Sequence, residues 1–330
     1  MPGPQTHLAQ DDFIPRRGLR GGHVQTLASF FISRHFALPP PDSRMVEVAP
    51  GIRVLCHCHW QADRRNALTL ILVHGFEGSS ESLYMTGITE KGLAAGMNVV
   101  RMNQRNCGGT EHVAPVLYHS GLSQDVAAVA RHLLEHDHIQ RLALAGYSMG
   151  GNLMLKLAGE WGANGPEAFR AVVVVCPALD LQASSDALHL PANRLYEQYF
   201  LWRVGRSMKA KDRHFPGVFD LSRMKGIRSL GDFDDRITAF YCGFQSGRDY
   251  YARAAASSVV DRIAVPTLIL HAANDPFIRI VASTRQKIVK NPHITFLETT
   301  DGGHCSFIAA PNGYDGFWAE KKIVEFLREF

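Results

Sequence analysis

Six short apolar runs recur along the 330-residue chain, and none of them alternates with polar residues: "LTLILVHG" from Leu68, "MNVVRM" from Met97, "LALAGY" from Leu142, "AVVVVCP" from Ala171, "TLILHA" from Thr267 and "ITFLE" from Ile294. A strand with one wet face alternates, so continuous runs of this length belong to strands covered on both faces, as in a parallel sheet. Parallel neighbours need a crossover of a dozen or more residues between them. Helical patterns of that length lie at Ser80 to Ala95, Ser123 to Asp137, Met149 to Trp161 and in the final "FWAEKKIVEFLREF". The stretch "VEVAPGIRVLCHCHW" carries Pro-Gly at its centre and reads as an antiparallel hairpin feeding the sheet. The expected fold is therefore α/β, a mostly parallel central sheet with helices on both faces. It spans residues 1–330 as one domain, with no internal repeat and no low-complexity tract.

Two segments stand outside that rhythm. Residues 1–42 form an extension expected to pack on the body. Residues 181–260, rich in aromatic and basic side chains, interrupt the strand pattern before the last two strands and are expected to form a lid or cap insertion. The helical stripe Leu195, Tyr199, Trp202 lies in this insertion with no strand beside it, and its aromatics are read first as packing rather than as substrate contacts.

Composition removes several classes of function. A net charge of +4, from 35 basic and 31 acidic residues, with no basic run interleaved with aromatics, argues against nucleic-acid binding. Six scattered cysteines do not resemble a disulfide framework, and the opening "MPGPQTHLAQDDFIPRR" lacks the apolar core of a signal peptide. No run approaches the roughly 18 apolar residues needed to span a bilayer. The expected location is the cytoplasm, with no stable membrane anchor.

The stretch "LALAGYSMGGN" narrows the function. Gly146 and Gly150 stand two residues either side of Ser148, at the end of a strand pattern and the start of a helical one. This is the G-x-S-x-G elbow, whose context must be strand, turn and helix. A serine hydroxyl is a weak nucleophile near neutral pH and needs a base, normally a histidine oriented by a carboxylate. The chain order Ser, acid, His is met by Ser148, Asp275 after "TLILHAAN" and His304 in "TTDGGHCSF". Asp180 and Asp301 are rival acids, and Asp275 is the first choice because its loop follows the next-to-last strand. An oxyanion would be held by the backbone N–H groups of Met149, at a helix N-terminus, and of Phe76, beside Gly75. The same loop could equally be a turn in which Ser79 or Ser80 caps the next helix.

Two patterns imitate metal sites. "HLLEH", His132 to His136, matches H-x-x-E-H, but the apolar stripe Val126, Val129, Ala130, Leu133 puts Glu135 on the wet side of its helix. "CHCH", Cys56 to His59, alternates along a strand and lacks a second ligand pair at zinc spacing. Neither is expected to bind metal, and His74 and Cys305 are read as neighbours of the site.

Taken in order, "GLRGGHVQTL", "HGFEGSSES", "RMNQRNCGGTE", "LYHSGLSQD", "GYSMGGN", "DFDDRITAFYCGFQSGRDYYARAAA", "HAANDPF" and "GGHCSFI" cover nearly the whole chain. This ordered set resembles the YheT-like branch of the α/β-hydrolases. The resemblance implies the α/β-hydrolase fold and carboxylic-ester hydrolysis without metal or organic cofactor, with Ser148, Asp275 and His304 at the triad positions. The expected substrate is a short- to medium-chain small-molecule acyl ester. The alternative is a lipase or phospholipase, touching lipid peripherally through "VQTLASFFISRHFAL" and Arg16, Arg17 and Arg20. A non-catalytic binding protein on the same scaffold is the remaining rival.

Overall fold

A computed structural model describes residues 13–330; the first twelve residues of the 1–42 extension lie outside it. Each apolar run becomes a strand. β1 (Asp42–Ala49) and β2 (Ile52–His59) form the antiparallel hairpin, followed by β3 (Thr69–Val73), β4 (Asn98–Met102), β5 (Leu142–Tyr147), β6 (Phe169–Val175), β7 (Thr267–Ala272) and β8 (Ile294–Thr299). They make one sheet in the order β1-β2-β4-β3-β5-β6-β7-β8, parallel from β4 to β8. β2 joins it antiparallel through β4.

Alternate residues of the central strands enter two separate cores. Ile71, Val73, Leu144, Val172 and Val174 face α3 (Ser123–His136) and α4 (Met149–Trp161), against Val129, Leu133, Leu153 and Leu157. Leu70, Leu72, Ala145, Val173 and Val175 face α2 (Leu83–Ala94) and the C-terminal helix (Trp318–Leu327), against Met85, Ile88, Trp318 and Ile323. Burial on both faces explains why these strands show no alternation. α2 starts three residues later than the periodicity suggested, with Ser82 at its N-cap in place of Ser79 or Ser80.

Between β6 and β7 the chain leaves the sheet for α5 (Leu181–Leu188), the long α6 (Arg194–His214), short helices α7 (Leu230–Phe233) and α8 (Ala239–Cys242) joined by a π-helical turn, and α9 (Gly247–Ala254). These helices have cores of their own, one around Tyr250, Tyr251 and Phe277 and one around Val204, Met208 and Ile237. α6 differs from its sequence reading by a rotation of about one residue. Leu195 and Trp202 are 82% and 54% exposed, so neither packs the insertion, while Tyr196 and Phe200 turn inward.

The N-terminal segment braces a loop nearly three hundred residues away. In α1 (Gly22–Phe31), buried Gln25 exchanges hydrogen bonds with the Ile308 backbone, donating to its carbonyl at 3.0 Å and accepting its N–H at 2.8 Å. The Thr26 hydroxyl accepts the His304 N–H at 2.8 Å.

Candidate active site

Ser148 sits where β5 ends and α4 begins, with φ 53° and ψ −115°, a conformation that L-residues rarely adopt. The flanking glycines explain how the chain holds it. A Cβ on Gly146 would lie 2.5 Å from the Gly150 carbonyl, and one on Gly150 would lie 2.4 Å from the Val73 carbonyl oxygen. Strand and helix approach so closely that no side chain fits between them, which is the physical content of G-x-S-x-G.

Three loops at the carboxyl end of the sheet surround this serine. The first follows β3, where a Cβ on Gly75 would be 3.3 Å from that of Ser148. Buried His74 braces it, with Nδ1 2.7 Å from the Gly75 carbonyl and Nε2 accepting the Gln104 N–H at 3.1 Å. Burial lowers the His74 pKa to about 4, so this imidazole stays neutral and structural. Among the described residues, the N–H groups of Phe76 and Met149 donate to no protein acceptor.

The second loop follows β7 and carries Asp275, 2% exposed. Its Oδ1 accepts the N–H groups of Phe277 at 3.0 Å and Ile278 at 2.9 Å, and its Oδ2 lies 2.8 Å from His304 Nδ1. The third loop, after β8, carries His304. Of the three acids considered, Asp275 is the one in contact with the imidazole. Asp301 instead accepts from Gly21 N–H and the Asn274 amide, and Asp180 accepts from Val281 N–H and the Thr284 hydroxyl. Both rivals are structural pegs.

Burial disfavours charge on both Asp275 and His304, but their mutual attraction outweighs it. The histidine pKa rises above its ordinary value and the aspartate falls below its own. Nδ1 therefore holds its proton toward the carboxylate, and the Nε2 lone pair is left for a partner. Ser148 and His304 line the same cavity, although no hydrogen bond joins hydroxyl to imidazole in this state. Such contacts are often long without substrate and tighten in the reacting complex.

That cavity has a volume of about 520 Å³. Phe76, Tyr196, Phe200 and Phe277 line it near the imidazole, with the Phe277 ring 4.4 Å from that of His304. Tyr84, Tyr147 and Arg34 also line it, and Arg34 is paired with buried Glu320. The sequence had marked neither Tyr196 and Phe200, because a period of 3.6 does not say which stripe faces inward, nor Thr26 and Arg34, which come from the N-terminal segment.

α6 also grips the loop after β3. Glu77, φ 54°, accepts the Tyr118 hydroxyl and the Ser207 hydroxyl, each at 2.8 Å, while the Arg203 guanidinium donates to its carbonyl oxygen. Glu77 gave no sequence signal, since its partners lie forty and more than a hundred residues away.

The two metal-like patterns point elsewhere. His136 Nδ1 is 3.0 Å from the His132 carbonyl and Glu135 is exposed, while Cys56 and Cys58 are core residues. His57 contacts the Ser43 hydroxyl and His59 the Arg101 guanidinium.

Comparison with known proteins gives a consistent picture. The family described as the α/β-hydrolase fold matches residues 69–311. YheT of Escherichia coli (strain K12), whose name places it among esterases, is 31% identical over 97% of this chain and 94% of its own length. The human phospholipase ABHD3 is 27% identical over 90% of this chain and 72% of its own. Among solved structures, the Pyrococcus furiosus esterase Pf2001 superposes with a TM-score of 0.60 at 14% identity, covering 90% of this chain and 95% of that one. Est1E from Butyrivibrio proteoclasticus gives 0.55 at 15% identity, covering 87% and 98%. No helix among the described residues is long and apolar enough to cross a membrane.

Proposed function

Because this chain belongs to the α/β-hydrolase family, in its YheT-like branch, we propose that it is a serine carboxylesterase working through an acyl-enzyme. Ser148 Oγ attacks the ester carbonyl as His304 Nε2 takes its proton, and Asp275 keeps the imidazole in the required tautomer. The Phe76 and Met149 N–H groups receive the oxyanion. The imidazolium then returns the proton to the leaving alcohol, and a water activated by the same ring releases the acid. The observation that carries the reading is a strained serine sharing one cavity with an imidazole whose far nitrogen is held 2.8 Å from a buried carboxylate.

A cavity of about 520 Å³ lies within the range of roughly 300–1,000 Å³ for small-molecule sites. It suits a short- to medium-chain acyl ester, handled as a soluble substrate in the cytoplasm. We read the 181–260 insertion as the cap that closes over this ester, and the 1–42 extension as a brace for the histidine loop.

One observation favours the lipid-directed reading beside it. Phe30, which lines the cavity, and Phe31 on α1, with Leu195 and Trp202 on α6, are 63%, 84%, 82% and 54% exposed, and Arg206 stacks on Trp202. Such exposed apolar side chains suit peripheral contact with a lipid surface, from which an acyl ester would enter.

The test is labelling with a fluorophosphonate probe. The folded protein should be modified at Ser148 and inactivated, and Ser148→Ala should retain its fold, lose labelling and lose hydrolysis of p-nitrophenyl esters. A folded Ser148→Ala protein with full activity would sink the proposal. Rates on soluble butyrate esters against long-chain lipid dispersions decide between the two substrate presentations.

A further inference from the structure

Two thiols that the ester chemistry does not use lie beside the imidazole. Cys176 follows β6 and Cys305 follows His304, and both backbones are in the left-handed region, with φ 43° and 63°. The Cys305 sulfur is 3.7 Å from His304 Nε2 and 3.9 Å from Nδ1. The Cys176 sulfur, the Cys305 sulfur and one His304 nitrogen lie within 4.8 Å of one another, and Cys176, His271 and Asp275 form a second such group. Both thiols are free, and the buried His271 Nδ1 has no hydrogen-bond partner.

We propose that Cys176, Cys305 and His304 form a binding site for one soft or borderline divalent cation, Zn²⁺ or Cd²⁺, and that the bound ion switches off the imidazole. At Zn–S bonds of about 2.3 Å and Zn–N bonds of about 2.0 Å, tetrahedral ligands stand roughly 3.5 Å apart. The Cys305–His304 spacing of 3.7 Å is already of that size, and the Cys176 sulfur, within 4.8 Å of the other two ligand atoms, would have to close the remainder by a side-chain rotation. Two thiolates and an imidazole leave a fourth position open for Asp275 or water. Besides their contacts with each other and with the neighbouring imidazoles, the thiols make long contacts to backbone carbonyls, Cys176 with Gly303 at 3.7 Å and Cys305 with Val175 at 3.6 Å. Binding would release two thiol protons and replace these contacts with metal–sulfur bonds. The cavity is the entry path, since His304 and Cys305 both line it.

Either ring nitrogen leads to the same outcome. A metal on Nε2 occupies the lone pair that would take the serine proton. A metal on Nδ1 leaves the ring proton on Nε2, and again no base faces Ser148. Loss of turnover rests on the esterase reading; metal binding does not.

The experiment titrates Cd²⁺ into the intact protein, kept reduced with a phosphine, while the ultraviolet thiolate-to-cadmium absorption and ester hydrolysis are followed together. One Cd²⁺ per chain should bind, activity should fall in step with the band, and EDTA should restore it. Cys176→Ala and Cys305→Ala should each weaken Cd²⁺ binding by on the order of 100-fold or more, since even outer partners of a metal ligand are worth about 10–100-fold. Cys176→Ala should leave metal-free turnover unchanged. Ser148→Ala should keep the full absorption band, so the site stands even if the esterase assignment falls. A folded, reduced protein that shows no band, or a band whose affinity neither cysteine substitution moves, overturns the proposal.

Discussion

Replacing Asp275 by asparagine separates an orienting carboxylate from a merely structural one. The side chain is fully buried and already makes three contacts: Oδ1 with the Phe277 and Ile278 N–H groups, and Oδ2 with His304 Nδ1. Asparagine has the same shape, so its carbonyl oxygen can keep both backbone bonds only by turning its NH₂ toward Nδ1. The reverse orientation sets that NH₂ against two backbone donors and leaves them unsatisfied, at about 1–3 kcal/mol each. The first orientation therefore wins. Nδ1 must then accept, the ring proton moves to Nε2, and the base facing Ser148 is lost. A wrong tautomer of this kind lowers turnover by about 10⁴, or roughly 5.4 kcal/mol at 1.36 kcal/mol per tenfold. Loss of one charge-assisted hydrogen bond without a change of tautomer would cost only about 1.5–3 kcal/mol, roughly 10- to 150-fold. The measurement is kcat/KM for p-nitrophenyl butyrate on the alkaline plateau, with thermal unfolding as the control for folding. A folded Asp275→Asn protein within tenfold of the unmodified enzyme would refute the tautomer argument.

Three further outcomes are expected. On the proposed mechanism the neutral imidazole is the active form, and its pKa is raised by Asp275, so kcat/KM should fall on acidification with a midpoint above the ordinary histidine value of about 6.5; Asp275→Asn should move the midpoint of its residual activity downward. Glu77→Ala removes the carboxylate that accepts from Tyr118 and Ser207 and lies 3.9 Å from the Arg203 guanidinium, while the Arg203 bond to the backbone carbonyl stays. It should cost about 1–3 kcal/mol of stability, read by denaturant titration, and lower kcat with little change in KM for a short ester, because the Phe76 N–H loses its fixed position; an unchanged kcat would show that the contact is structural only. Gly150→Ala places a methyl 2.4 Å from the Val73 oxygen and 2.6 Å from the His74 oxygen. Both are backbone atoms, so we expect more than about 3 kcal/mol of destabilisation or insoluble protein, and a normally stable variant would contradict the close-packing account of the elbow.

How far the site could be read in advance depended on the range of the signal. The elbow, the sheet and the crossover helices are written in local patterns: glycine where backbones meet, unbroken apolar runs where both faces are covered, a 3.6-residue stripe where one face is. Those patterns located Ser148 and placed Asp275 and His304 on loops at one end of the sheet. Among Asp180, Asp275 and Asp301, each next to a turn and each plausible by position, the deciding fact is which carboxylate has a histidine nitrogen 2.8 Å away. The 181–260 insertion shows the same limit. Periodicity identified a helix near Leu195, Tyr199 and Trp202; of these Tyr199 lines the cavity, and packing adds Tyr196 and Phe200 beside it.

The amino-acid order by itself determined the strands, the helices between them and the strained turn at Ser148, because each depends on residues within one or two turns of chain. Only the tertiary structure decided that Thr26 holds the histidine loop, that Glu77 ties α6 to the turn after β3, and that Cys176 meets Cys305 beside the imidazole. Those contacts join residues far apart in the chain, and their partners are selected by how the layers dock, a quantity that no local window of residue types contains.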